Sequence, residues 1–218
     1  MSKRIRIDFV SDVSCPWCAI GLKSLETALA RAADVVSADL HIQPFELNPD
    51  MGPEGQDIGE HITQKYGATP EQQEHSREMI RQRGESVGFT FDMGRRGRIY
   101  NTFDAHRLLH WVGEEFGADK QLELKMALFE AYFTKGLDPS SHDVLLRVAE
   151  DVGLDKEQAA NVLESNEFAG EVREAEQFFQ RAGIHSVPAI IIDQRHLISG
   201  GQPPDVFERA LREIAAQD

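Results

Sequence analysis

What most constrains this chain is the order in which its hydrophobic period changes, strand-like at both ends and helical through the middle. Ile5, Ile7 and Phe9 alternate with polar residues before Val10, the period of two expected of a strand buried on one face. After the loop Ser11-Asp12-Val13-Ser14 a helix starts near Pro16. Leu22, Leu25 and Leu29 recur at i, i+3 and i+7 and give it a buried face up to about Ala33. Leu40 and Ile42 alternate again in a second strand, Leu40 to Phe45, which Pro44 ends or bulges because proline has no N–H to give a ladder.

From about Asn48 to Ala182 the period is helical throughout. Thr69-Pro70-Glu71-Gln72 predicts a helix start, with Thr69 as cap, Pro70 in the first turn and Gln72 closing a capping box. Leu122, Met126, Phe129 and Phe133 form an apolar stripe that reads as core, and Asp143 to Ala149 and Val172 to Phe179 are similar. The strand period returns at Val187 to Asp193, turns around Gln194 and runs back through His196 to Gly201 as an antiparallel hairpin. A last helix follows Pro203-Pro204 and lines Val206, Phe207, Ala210, Leu211 and Ile214 along one side. The order βαβ, helical block, ββα predicts an α/β domain split by an insertion: residues 1–48 and 169–218 form the two parts, and 49–168 are an inserted all-helical domain. With 218 residues, 41% of them hydrophobic, such a chain can build its core without metal or disulfide staples.

Charge narrows the partners. A net charge of −14 and a pI near 5.0 work against a polyphosphate ligand, so nucleic acid is not an expected partner. The opening MSKRIRIDFVSDVSC has basic residues but no apolar run of signal-peptide length, and no stretch approaches the roughly 18 apolar residues of a spanning helix. The expectation is a cytoplasmic protein without a membrane partner, monomeric or homodimeric.

The two cysteines lie three positions apart, at the predicted strand-to-helix turn, in Cys15-Pro16-Trp17-Cys18. In a reducing compartment such a pair serves catalysis, redox sensing or metal binding rather than framework structure. Unpaired N–H groups and the macrodipole at a helix start favour a thiolate on Cys15, the expected nucleophile. Cys18, one turn on and more buried, is placed to resolve a mixed disulfide on Cys15. Pro16 suits the first turn and restricts the loop, while Trp17 offers an apolar rim, so this pair tunes the site without performing chemistry. A structural zinc would need two of the eight histidines besides, and Ala19 after Cys18 excludes a haem-attachment motif, so no metal is expected.

With these residues in view the chain resembles the DsbA family of thiol-disulfide oxidoreductases, and specifically its cytoplasmic FrnE-like branch. Four stretches carry the likeness: DFVSDVSCPWCAIG from Asp8 to Gly21, PFELNPDM from Pro44 to Met51, NTFDAHRLLHW from Asn101 to Trp111, and GIHSVPAIIID from Gly183 to Asp193. The resemblance implies a thioredoxin fold interrupted by a helical domain after its second strand. It also implies that Val187-Pro188 is a cis peptide facing the dithiol, with the Val187 backbone pairing an extended substrate. Two positions depart from the family pattern: Ser186 stands where glycine is frequent, and Ala19 where an aromatic residue often follows the second cysteine. The related kappa-type glutathione transferases and hydroxychromene carboxylate isomerases share the PFEL and AHRL-like stretches but typically carry serine at the position of Cys15.

The implied activity is therefore disulfide exchange with protein, peptide or small-molecule substrates. No cofactor is expected to be bound, and glutathione is a candidate co-substrate. A glutathione-dependent isomerase or transferase is the alternative, and a redox-sensing peptide binder or chaperone the next. By the same resemblance, Asn101 and His106, with Asp104, Ala105 and Arg107, are candidates to line a cleft and bind substrate; otherwise they are a cap and an ordinary amphipathic helix. Arg95, Arg96 and Arg98 form a basic knot that either holds a carboxylate or is a solvated loop. Asp12 would oppose a Cys15 thiolate if close, and is expected to point away or cap the helix. His185 is expected at the surface.

Overall fold

The computed structural model describes residues 2–217. Strand β1 (Lys3–Ser11) leads into helix α1 (Pro16–Arg31), and strand β2 (Val36–Pro44) returns parallel to β1, paired from Lys3 against Val36 to Ser11 against Pro44. Ile5, Ile7 and Phe9 put one face of β1 into the core beneath α1, as their alternation predicts, and Val10 faces the other side. The second strand begins four residues before the expected Leu40, at Val36. Its early positions Ser37 and Ala38 are exposed, so pairing with β1 rather than apolar alternation makes them extended.

The insertion contains strand β3 (Gln56–Asp57), helices α2 (Ile58–Tyr66) and α3 (Pro70–Ser86), strand β4 (Arg98–Ile99), then α4 (Phe103–Phe116) and α5 (Ala118–Phe129), which runs on into a π-helical turn at Glu130–Thr134. Helices α6 (His142–Asp151), α7 (Lys156–Glu164) and α8 (Ala169–Arg181) follow. The expectation of an all-helical block thus needs one correction, because β3 and β4 pair as a short antiparallel ladder. Two residues a side are too few to show a period of two, so sequence patterning is blind to them. Thr69 and Gln72 form the capping box expected at the start of α3.

Strands β5 (Ala189–Ile192) and β6 (His196–Ser199) make the terminal hairpin, and α9 (Pro204–Ala215) packs beside α1. The main sheet runs β2-β1-β5-β6, with β5 antiparallel to both β1 and β6. The result is the mixed α/β thioredoxin-type arrangement, interrupted after β2.

The insertion does not form its core alone. Phe89, Phe91, Phe129, Tyr132 and Phe133 belong to the same apolar cluster as Ile7, Phe9, Cys18 and Leu22. The rings of Phe91 and Phe133 stand 5.1 Å apart, close enough for tilted aromatic packing that adds to their burial. A second cluster lies among α4, α5, α6 and α7 and takes in Val13 from the loop after β1. Both cores therefore reach the segment that carries the cysteines. Among the described residues, no helix is long and apolar enough to cross a membrane.

Candidate active site

The loop after β1 delivers Cys15 to the N-cap of α1, in extended backbone conformation, with Pro16 in the first helical turn. The Cys15 N–H donates to the Asp12 carbonyl at 3.2 Å and the Cys18 N–H to the Cys15 carbonyl at 3.1 Å, which closes the first turn. No side-chain hydrogen bond caps the helix. The orphan N–H groups at this end act on the sulfur as dipoles instead. Cys15 is 4% exposed and Cys18 fully buried, and both are free thiols.

Their environments push the two thiols apart. A hydrogen bond from the Cys18 thiol is the largest influence on Cys15 and lowers it; burial and the Asp12 charge oppose, while the N–H groups of Cys18 and Trp17 assist. Burial drives Cys18 well above an ordinary thiol, and its donation to Cys15 and the nearby Cys15 charge add to that. Cys15 is thus the more acidic of the two thiols, and Cys18 the one that keeps its proton.

The second half of the site arrives from the far end of the chain. Pairing of β1 with β5, Val10 against Ala189, brings the Val187-Pro188 bond against the cysteine loop. That bond is cis, as the resemblance implied, and the Val187 carbonyl lies 3.6 Å from the Cys15 sulfur. Two glycines permit the approach. Gly200 adopts a φ of 81° and its N–H donates to the Pro188 carbonyl at 2.8 Å. A Cβ on Gly201 would stand 2.8 Å from the Trp17 carbonyl, so only glycine lets the chain just after β6 lie on the start of α1. Gly200 and Gly201 carried no expectation from the sequence beyond ending a strand, although a glycine pair after a strand does signal close backbone approach.

Trp17 is half-buried beside the cysteines, and the phenol of Tyr66, whose residue is 64% exposed, is raised first by partial burial and then by the nearby Cys15 charge. An open groove of about 630 Å³, lined by Leu47 to Gly52, His61 and Lys65, begins at Leu47, whose N–H donates to Asp12 of the cysteine loop.

Other expectations fall differently. Asp12 does not cap α1. Its carboxylate is buried and accepts from the N–H groups of Ser14 at 3.0 Å and Leu47 at 2.7 Å. Burial alone would raise it, yet His106 and those two donors outweigh burial and hold it at about 2. His106, proposed as a substrate contact, is 2% exposed and stands behind Asp12 at 3.6 Å, because α4 turns this face inward. Asn101 uses its side-chain oxygen to accept from the Phe103 N–H at 2.9 Å, the behaviour of a helix cap. Buried Arg107 donates to the Ser165 carbonyl at 2.6 Å and the Glu167 carbonyl at 3.0 Å, and Asp104 pairs with Arg107 and His142. The basic knot disperses: Arg96 donates to the Ser14 carbonyl at 3.2 Å and lies over the Tyr132 and Phe133 rings, Arg98 holds the Glu54 carbonyl, and Arg95 pairs with Asp92. His185 is exposed.

Lys125 was not singled out by sequence, lying inside the core stripe between Leu122 and Met126. It is fully buried, and its ammonium nitrogen stands 5.0 Å from the Phe129 ring. Among the described residues no group of three or more His, Cys, Asp or Glu side chains is placed to hold a metal.

A family model described as DSBA-like thioredoxin domain matches residues 6–212. A Streptomyces coelicolor crystal structure described as a probable DsbA oxidoreductase is 30% identical, superposes with a TM-score of 0.87, and is covered over 98% of this chain and 91% of that one. The Bacillus subtilis protein YwbO, itself described as uncharacterized, is 27% identical over 96% of both chains. The cytosolic disulfide reductase DsbM of Pseudomonas aeruginosa, solved with glutathione, shares the fold at 14% identity, with a TM-score of 0.68 over 97% of this chain and 100% of that one.

Proposed function

The chain belongs to the DSBA-like thioredoxin-domain family, and from that premise we propose that it exchanges disulfides with peptide, protein or small-molecule substrates through Cys15 and Cys18. The observation that carries this reading is the Cys15 sulfur at the start of α1, lowered by the Cys18 thiol and facing the Val187 carbonyl at 3.6 Å. The Cys15 thiolate attacks one sulfur of a substrate disulfide; a protein–substrate S–S bond forms and the other substrate sulfur leaves as a thiolate. Cys18 then attacks Cys15, the Cys15–Cys18 bond forms, and the second substrate sulfur leaves with its electron pair. Run backwards, the same steps oxidise a dithiol.

Val187 is the proposed docking strand, because its backbone faces Cys15 and can pair an extended chain without regard to sequence. Trp17 and Tyr66 supply apolar walls, and the groove beside Lys65 accommodates an extended ligand. Glutathione is a proposed small co-substrate, supported by its presence in the DsbM structure. A reducing, cytoplasmic setting is the proposed location, supported by a chain with only these two cysteines.

The test is a pair of variants. Cys15→Ser is expected to lose all exchange with a disulfide substrate, and Cys18→Ser to accumulate mixed disulfides that mass spectrometry identifies from cell extract. Full turnover of a glutathione-dependent isomerisation by Cys18→Ser would replace this reading with the isomerase one. Peptide binding as the sole activity, undiminished in the double serine variant, would replace it with a binding role.

A further inference from the structure

We propose that Glu46, Glu176 and Arg173 form a proton-gated clamp that positions the Val187 docking strand against Cys15, an assignment that rests on the exchange reading above. Glu46 lies just after β2, and Arg173 and Glu176 are one turn apart on α8. Both carboxyl groups are buried. A single Arg173 nitrogen donates to Oε2 of each, to Glu176 at 2.8 Å and to Glu46, and the guanidinium lies 3.7 Å over the Phe103 ring at the start of α4. The other oxygen of each glutamate, Oε1, is buried and has no hydrogen-bond partner among the described residues.

One guanidinium cannot neutralise two buried carboxylates. The two carboxyl groups also hydrogen-bond to each other, which requires a proton between them, and that proton removes the excess charge. Burial first, and then the Glu176 charge, push Glu46 up to about 7, so the proton leaves near neutrality. Glu176 is raised as well, by burial foremost. The other charged groups that act on the pair are His106 from α4 and Asp12 from the cysteine loop. Of the remaining titratable groups on the packed elements, His110 of α4 faces the Phe168 ring, His41 of β2 pairs with Asp39, and Lys65 of α2 holds the Leu47 carbonyl.

The clamp stands where the two halves of the site meet. On one side, Glu46 adjoins Leu47, whose N–H donates to the Asp12 carboxylate at 2.7 Å; Asp12 in turn accepts from the Ser14 N–H on its side chain and from the Cys15 N–H on its carbonyl. On the other, α8 ends at Arg181 and a short loop leads from it to Val187 and the cis Pro188. Phe179 and Ile184 at that junction share an apolar cluster with Val10, Phe45 and Ala189, against which Leu47 and Val187 pack. The helix that leads to the docking strand is therefore fastened, through Arg173 and Glu176, to the segment that holds the cysteine loop.

With the shared proton in place, Arg173 balances the one remaining charge and α8 is held against Glu46. Loss of the proton leaves two like charges in contact, and α8 with the Val187 loop is released from that hold. An incoming peptide must then order the strand it pairs with, at a cost to its binding. The effect falls on KM for an extended substrate. A small disulfide that makes no backbone pairing does not feel it.

The test uses the whole protein between pH 6 and pH 9 with two substrates, a peptide joined by a disulfide to an aromatic thiol and a small symmetric aromatic disulfide. In the wild type the peptide KM is expected to rise about tenfold with a midpoint near pH 7, the equivalent of about one charge-assisted hydrogen bond, while the KM of the small disulfide does not follow. Glu46→Gln and Glu176→Gln keep the shape of the protonated pair without its titration, so in each the peptide KM should stay flat across the range. A peptide KM that titrates in both variants as in the wild type, or a rise shared equally by the small disulfide, overturns the assignment. Should neither variant fold, the wild type decides: a peptide KM that is flat from pH 6 to pH 9 refutes the clamp. Infrared spectra of the reduced wild type add a readout free of turnover, in which the stretch of a protonated carboxyl is expected at pH 6 and lost toward pH 9; its absence at pH 6 also refutes it. Exchange that proceeds with a flat peptide KM removes the clamp alone, whereas absence of any exchange in the wild type removes the exchange reading and this assignment with it.

Discussion

Replacing Lys125 with methionine should make the protein more stable at neutral pH. The ammonium is fully buried, and burial lowers it from 10.5 to about 8. That difference corresponds to about 3 kcal/mol by which the folded state disfavours the bound proton. At pH 7 both folded and unfolded chains carry the proton, so the folded state bears the whole cost. Between about 8 and 10.5 the unfolded chain binds more protons than the folded one, and wild-type stability gains from this group as pH rises. Above 10.5 both states hold the neutral amine and the cost is gone. Methionine matches the length of the stem and leaves the Phe129 contact apolar, so Lys125→Met should gain about 2 to 3 kcal/mol at pH 7. The gain should shrink toward zero as pH approaches 10.5. Urea unfolding of both proteins under reducing conditions, followed by circular dichroism at pH 7 and pH 10, measures it. A variant less stable than wild type at pH 7, or a gain equal at both pH values, would refute the reasoning.

Asp12, held at about 2 against 3.8 in the unfolded chain, contributes about 2 kcal/mol of stability above pH 4, lost as pH falls through 2. Asp12→Asn should abolish that part of the acid dependence, measurable by unfolding at pH 3 and pH 6. Because the Asp12 charge opposes the Cys15 thiolate, the same variant should also alkylate faster at low pH. Gly201→Ala forces a methyl against the Trp17 carbonyl and should cost about 1 to 3 kcal/mol, with a fall in exchange rate as Pro188 is displaced from the cysteines. Gln121→Leu leaves the Ile42 backbone groups without their side-chain partner and should cost about 1 to 3 kcal/mol in urea unfolding.

The alternation of Ile5, Ile7 and Phe9 and the Leu22, Leu25 and Leu29 face were legible because each buries one side of a long element, and the terminal hairpin because a short apolar run returns across a turn. The β3–β4 ladder and the early start of β2 were not, since both are fixed by backbone pairing rather than by side-chain pattern. At the site, the CPWC spacing revealed the dithiol because the chemistry sits within one helical turn. The partners of that dithiol are distant in sequence. Lys125 hid inside an apolar stripe, where a lysine reads as a surface residue interrupting the face. His106 shows the opposite failure: a histidine in a family-like segment reads as a ligand contact, whereas the helix turns it inward to Asp12. Arg96 fell into a knot of three arginines whose members separate to three unrelated tasks.

The central claim is that Cys15 is held as a thiolate by its place at the start of α1 and by the proton on Cys18. Its most direct test is the pH dependence of Cys15 alkylation in the reduced wild type and in Cys18→Ala. The inflection should lie below that of a free thiol in the wild type and shift upward when Cys18 is removed. A wild-type profile indistinguishable from that of an unstructured cysteine peptide would contradict it.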